Sequence, residues 1–339
     1  MKKLAASQPV ARNSGGDLYA AISLNLTAPS LLFALRKRRS LLLAAMVFAT
    51  PALAYKRSVN SGGMCVWWST RGHSFMIDAR GTPDVEAFLT FSAVRNSFAT
   101  WAAISCSDLS FPDEGISQDS KDRVVGYFPG QHNANLVLWR TANCRAGIVP
   151  VGDPCLTRGG CGNKYDCWDH ADGVIAITTT TSSNITGEII DSDIELNDGS
   201  TADGGKLTFT AVDGPPCTSP TQTGCVRIDI QNTITHEAGH SLGLDHSLDP
   251  AATMYGLAAE GEISKRTLGA DDIKAICDIY PKGAPTVTCV PAGVSNGGTA
   301  GASSNGGCSQ AQAGSDAALG ILLLLLQISR ARRRSPGCR

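Results

Sequence analysis

The chain has 339 residues, with 29 Lys and Arg against 30 Asp and Glu. The near-neutral total hides an acidic centre: 17 basic against 28 acidic residues lie between Tyr55 and Lys282, and the flanks are basic. That centre excludes nucleic acid as a partner, since phosphate binding needs clustered Lys and Arg. Twelve cysteines are too many for a reducing compartment unless they hold metal. Cys155, Cys161 and Cys167 lack C-x-x-C spacing, so disulfides and export are expected. Ten cysteines fall between Cys65 and Cys289, and Cys217 with Cys225 could close a short loop.

Residues 1–54 read as leader and signal peptide. Arg36-Lys37-Arg38-Arg39 precedes the apolar run from Leu41 to Ala49, and Ala52-Leu53-Ala54 offers a cleavage site after Ala54. Cys65 to Asp78 reads as one or two strands. Pro83 opens a helix whose Val85, Phe88, Leu89, Phe91, Val94, Phe98 and Trp101 form an apolar stripe, with Asp84 and Glu86 in its first turn. Short strands are expected at 124–128 and 135–139, then a cross-linked loop from Cys144 to Cys167. Gly173 to Ile177 reads as a buried strand. In the strand that follows, 187–197, Asp191, Asp193, Glu195 and Asn197 alternate with Ile190, Ile194 and Leu196. The polar row could hold Ca2+, which wants several hard oxygens. A solvated strand face is the plainer reading, and the one favoured here.

The strongest signal is His236-Glu237-Ala238-Gly239-His240-Ser241-Leu242-Gly243-Leu244-Asp245-His246. On a helix capped by Asp229, residues four apart share a face, so His236 and His240 can reach one ion. His246 cannot join them along a straight axis. Gly243 is where the chain can reverse, because glycine tolerates positive φ. Three imidazoles would leave a fourth corner of a tetrahedron open, as in catalytic Zn2+ sites, with Glu237 as general base.

This extended motif, followed by a methionine turn at Ala252-Thr253-Met254-Tyr255, resembles the signature of the metzincin metalloproteases. His240 to Ser247 and Thr253-Met254-Tyr255 look most like the matrixin branch. The resemblance implies an α+β fold: a twisted mixed sheet with a backing helix, an active-site helix and a C-terminal helix. It makes His236, His240 and His246 the zinc ligands, Glu237 the catalytic residue and Met254 a floor beneath them. Gly256 stands where the astacin branch has a metal-reaching tyrosine, which implies no tyrosine ligand. The stretch at 83–101 resembles the backing helix, and 268–281, ending at Pro281, the terminal helix. The strand pair at 173–197 is where the resemblance puts the edge that pairs with extended substrate. Several histidines hold a second, structural zinc in many matrixins; His132 and His170 are too few here, and disulfides are expected to staple that region instead. No Pro-Arg-Cys-Gly stretch is present, and Cys65 reads as half of a disulfide.

The reading is thus a catalytic domain at 55–282, a Gly/Ala/Ser-rich linker at 283–314, and an apolar tail with an arginine cluster at 315–339. The tail is similar to myxobacterial surface-sorting signals, which implies attachment to a membrane or cell surface. The expected function is a secreted or surface zinc endopeptidase, a monomer acting on protein or peptide substrate. The alternative is a disulfide-rich surface or adhesive module keeping zinc only for folding; such a site has no use for Glu237.

Overall fold

Seven strands form one mixed sheet that the active-site helix packs against. The computed structural model describes residues 55–199 and 205–288 and the backbone of 306–310. The strands are Phe75–Asp78 (β1), Asp113–Ser117 (β2), Leu136–Arg140 (β3), Val174–Ser182 (β4), Ile189–Asn197 (β5), Leu257–Ala258 (β6) and Gly306–Gln310 (β7). Their spatial order is β6-β7-β4-β5-β3-β1-β2. β2, β1, β3 and β5 run parallel, and β4 is antiparallel to β5 with Thr178 opposite Ile194. Three long helices complete the fold: Ala87–Ala102 (α1), Ile230–Ser241 (α2) and Ala270–Ile279 (α3). This is the expected α+β arrangement of mixed sheet, backing helix, active-site helix and terminal helix.

The spacing of apolar residues explains why α1 lies where it does. Phe91, Val94, Phe98 and Trp101 share a buried face. The Trp101 indole N–H donates to the Thr235 carbonyl at 2.8 Å, joining α1 to α2. Phe88, expected in the same stripe, is exposed. The helix starts at Ala87, so Asp84 and Glu86 precede its first turn. Asp84 instead pairs with Lys206 and accepts the Phe209 N–H.

Three further expectations are corrected. Residues 124–128 are not a strand, because side chains take their N–H groups: Val125 donates to Asn163 and Gly126 to Asp193. The polar row of β5 is not a solvated face, since Asp191, Asp193, Glu195 and Asn197 are all buried. Asp193 accepts the N–H groups of Gly126 and Leu136, and Glu195 pairs with Arg140 at 2.7 Å and His170 at 3.6 Å. Its carboxylates thus fasten the loops over the sheet. Finally, Gly306–Gln310, expected inside a linker, is a strand. A linker that buries no core can still pair through its backbone.

Disulfides join Cys144 to Cys167, Cys155 to Cys161, Cys217 to Cys225 and Cys106 to Cys277, and Cys65 is also disulfide-bonded. The first two staple the loop beside β3, as expected. Among the described residues no helix is long and apolar enough to cross a membrane. The leader, 1–54, and the tail, 315–339, lie outside the described residues.

His73 sits in the core, stacked on Trp68 at 4.5 Å with neither ring nitrogen hydrogen-bonded. Burial, assisted by Arg71, pushes its pKa down to about 3. An unfolded chain protonates it near 6.5, so between about 6.5 and 3 the unfolded state binds the extra proton. The stability it contributes is therefore whole above pH 6.5 and falls as pH drops through that window. His73→Phe, which keeps the stack, should blunt this loss. From pH 7 to pH 5 the parent should lose roughly 2 kcal/mol more than the variant in urea unfolding. Equal losses would show that His73 is not the sensor.

Candidate metal centre

Asp229 starts α2 as expected: its carboxylate accepts the Asn232 N–H at 2.7 Å. Ile230, Ile234, Ala238 and Leu242 are fully buried along one side and hold the helix in the core. His236 and His240 follow one turn apart, and Gly243 ends the run with φ +87°. A Cβ at Gly243 would stand 2.5 Å from the Val66 carbonyl oxygen, so both the turn and the neighbouring backbone require glycine.

A helix that stops inside a protein leaves carbonyls in need of donors. Here they come from far along the chain. The Trp68 indole N–H donates to the Ser241 carbonyl at 2.7 Å, and the Tyr280 hydroxyl to the Leu242 carbonyl at 2.9 Å. Past the reversal, Leu244–Asp245 pairs antiparallel with Lys56–Arg57. Asp245 takes the His246 N–H at 2.7 Å and an ion pair from Lys56 at 2.9 Å. These contacts bring His246 back to the helix.

The result is a cluster whose three ligand atoms lie within 4.8 Å of one another. His236 Nδ1 lies 2.6 Å from the Thr253 carbonyl and His240 Nδ1 2.7 Å from the Leu244 carbonyl. A carbonyl only accepts, so each Nδ1 carries the proton and each Nε2 keeps its lone pair. The Nε2 atoms of His236 and His240 are buried and make no hydrogen bond. Burial first, then neighbouring imidazoles, drives the pKa of His236 well below its usual value and that of His240 to about 4. Neutral imidazoles with fixed tautomers and inward lone pairs fit Zn2+.

Met254 is buried below the helix, as expected of a floor. A Cβ on Gly239 would overlap its sulfur and approach Trp101 to 2.8 Å, so the floor can come this close only beneath a glycine. Two supporting residues escape a reading of the sequence. Thr178 on β4 places its hydroxyl 2.9 Å from the Glu237 carbonyl and 2.7 Å from its Oε2. Nothing distinguishes it within a run of four threonines. Asp272 reads only as a helix-dipole acid, yet it accepts N–H groups from Thr253 at 2.6 Å, Met254 at 3.0 Å and Gly269 at 2.9 Å. Burial raises its pKa, with the three donors pulling the other way. Among the described residues this triad is the one cluster of His, Cys, Asp or Glu with metal-holding spacing.

Residues 157–281 match the sequence profile of the matrixins. That region of the chain is matrixin-like. A 48-residue stretch is 50% identical to matrilysin of Homo sapiens, covering 14% of this chain and 18% of that protein. Over 45 residues the chain is 56% identical to neutrophil collagenase of Homo sapiens, covering 13% of this chain and 10% of the relative. Over 45 residues it is 47% identical to macrophage metalloelastase of Oryctolagus cuniculus, again 13% of this chain and 10% of the relative. The chain therefore spans less than a fifth of the length of each of these relatives.

In this matrixin-like region Asp272 reaches a candidate ligand through one residue: it holds the Thr253 N–H, and the Thr253 carbonyl holds His236. Asp272→Ala would leave three N–H groups, two of them buried, without their acceptor. Zinc affinity, measured by chelator competition, should fall by about 10- to 100-fold with helix content retained. Unchanged affinity would make Asp272 a fold residue only.

Proposed function

We propose that the chain is a zinc-dependent endopeptidase that hydrolyses peptide bonds, with His236, His240 and His246 as metal ligands and Glu237 as the catalytic residue. The observation that carries this is the convergence of three histidine ligand atoms within 4.8 Å, with Glu237, fully buried on the same helix as His236 and His240, oriented by Thr178 of β4. Bound zinc would supply Lewis acidity, polarising a peptide carbonyl and making water easier to deprotonate.

The chain's own residues do the rest. Glu237 takes the proton from the attacking water and returns it to the leaving amine. The Thr178 hydroxyl, donating to Oε2, fixes which carboxylate edge faces the reaction. Met254 and the Asp272 clamp keep the imidazoles from turning. A groove of about 320 Å³ runs past His240 between Asn60, Val66 and the strand from Thr178 to Ser182.

Protein or peptide substrate, a monomeric state and a secreted or surface location complete the reading. Its support is the matrixin-like region together with the disulfides. Asp193 and Glu195 of the β5 acid row are committed to Gly126, Leu136, Arg140 and His170, so we assign no calcium to it. A zinc site kept only for folding would not need a carboxylate at Glu237, which favours the enzyme over an adhesive module.

The test is turnover of casein and of a quenched peptide library by the zinc-loaded full chain. Glu237→Ala should keep zinc at equal stoichiometry and lose about 10²- to 10⁴-fold in kcat. Zinc retention by both forms with no chelator-sensitive cleavage by the parent would favour the folding-only site. Thr178→Val removes one hydrogen bond to a carboxylate, worth about 1.5–3 kcal/mol, so kcat should drop by roughly 10- to 100-fold with zinc content unchanged. A Thr178→Val enzyme with parental kcat would remove Thr178 from the mechanism.

A further inference from the structure

β7 is the unexpected member of the sheet. It runs antiparallel to β4, with Gly306 opposite Thr178, Gly307 opposite Ile177 and Cys308 opposite Ala176. On its other side it is parallel to β6, with Leu257 opposite Ser309 and Ala258 opposite Gln310. Thr178 is the residue that orients Glu237, and Leu257–Ala258 follows directly on the methionine turn. β7 also packs against α2, the helix that carries His236 and His240. Five residues from the C-terminal region therefore lie as an extended strand between the two walls of the metal centre.

Without β7, β4 would present a free row of N–H and C=O groups. Such an edge pairs with any extended peptide, through backbone bonds that ask little of sequence. We propose that Gly306–Gln310 is a self-inhibitory strand, filling the slot between β4 and β6 that an extended peptide substrate would enter. The inference rests on the endopeptidase reading above. The occupant belongs to the same chain, so its effective concentration is on the order of millimolar, and an incoming substrate must displace it. Competition of this kind raises the apparent KM and leaves kcat untouched. Gly306-Gly307 suits the task, because a backbone ladder can hold a strand that has no side chains to seat.

The experiment uses the zinc-loaded full chain and its Gly306→Pro/Gly307→Pro variant. Neighbouring N–H groups in a strand point to opposite edges, so adjacent prolines remove one donor from each side whichever way they face. The variant should show an apparent KM for a quenched peptide lower by about tenfold or more, with kcat within about twofold of the parent. Hydrogen exchange at residues 174–178, which needs no turnover, should speed up by about tenfold or more. A synthetic peptide of residues 304–312, added to the variant, should restore that protection and inhibit competitively.

Equal KM values and equal exchange in parent and variant would overturn the proposal. So would cleavage within 306–310 on zinc loading, read by intact mass, since the strand would then be a substrate. Failure of the endopeptidase reading looks different: neither form would hydrolyse peptide, while the exchange difference would still report the strand in its slot.

Discussion

The candidate metal centre depends on one reversal of the chain, from Ser241 to His246. Two imidazoles on one helical face come cheaply, because α-helical geometry sets their separation. The third comes only if the helix stops, turns back on itself and stays turned. Gly243 permits the turn without holding it. What holds it are donors and strands from elsewhere: Trp68 and Tyr280 on the last carbonyls, and Lys56–Arg57 alongside Leu244–Asp245. Each satisfies a backbone group that would otherwise be buried without a partner, a cost of about 1–3 kcal/mol apiece.

A second set of contacts works from below. Asp272 belongs to α3, yet its carboxylate gathers the N–H groups of the methionine turn, whose Thr253 carbonyl fixes the tautomer of His236. The Cys106–Cys277 disulfide ties α3 to the chain just past α1, the helix that backs α2. The terminal helix is therefore part of the site's foundation, although no α3 side chain belongs to the triad. Glu237 is positioned from a third direction, by Thr178 on β4.

Much of this could be read from the sequence, and what could be read has a common physical character. His236, His240, Asp229 and the need for glycine at 243 follow from local geometry. The apolar period of α1 places that helix, and α3 follows from its resemblance to the matrixin terminal helix. Residues whose roles depend on distant partners could not be read. Thr178 is one threonine among four, and Asp272 looks like any first-turn acid. The β5 acids were misread because alternation reports two faces and does not say which is wet; loops from 124–135 and 163–170 cover the polar one. Asp84 and Glu86 were placed a turn too late, since a proline near a helix start marks its approach more reliably than its first residue. Gly306–Gln310 reads as linker on composition, which carries no information about backbone pairing.

The pairing of Lys56–Arg57 with Leu244–Asp245 makes ion capture a report on the entire domain. A helical fragment bearing His236 and His240 offers two-point attachment at best. Coordination by all three would wait on a ladder between segments far apart in sequence, whose closure costs chain entropy that only the finished core repays. By linkage, whatever free energy the ion gains from its third contact is returned as resistance to opening that ladder. Chelation should therefore slacken Lys56–Arg57, far away in sequence from the three imidazoles.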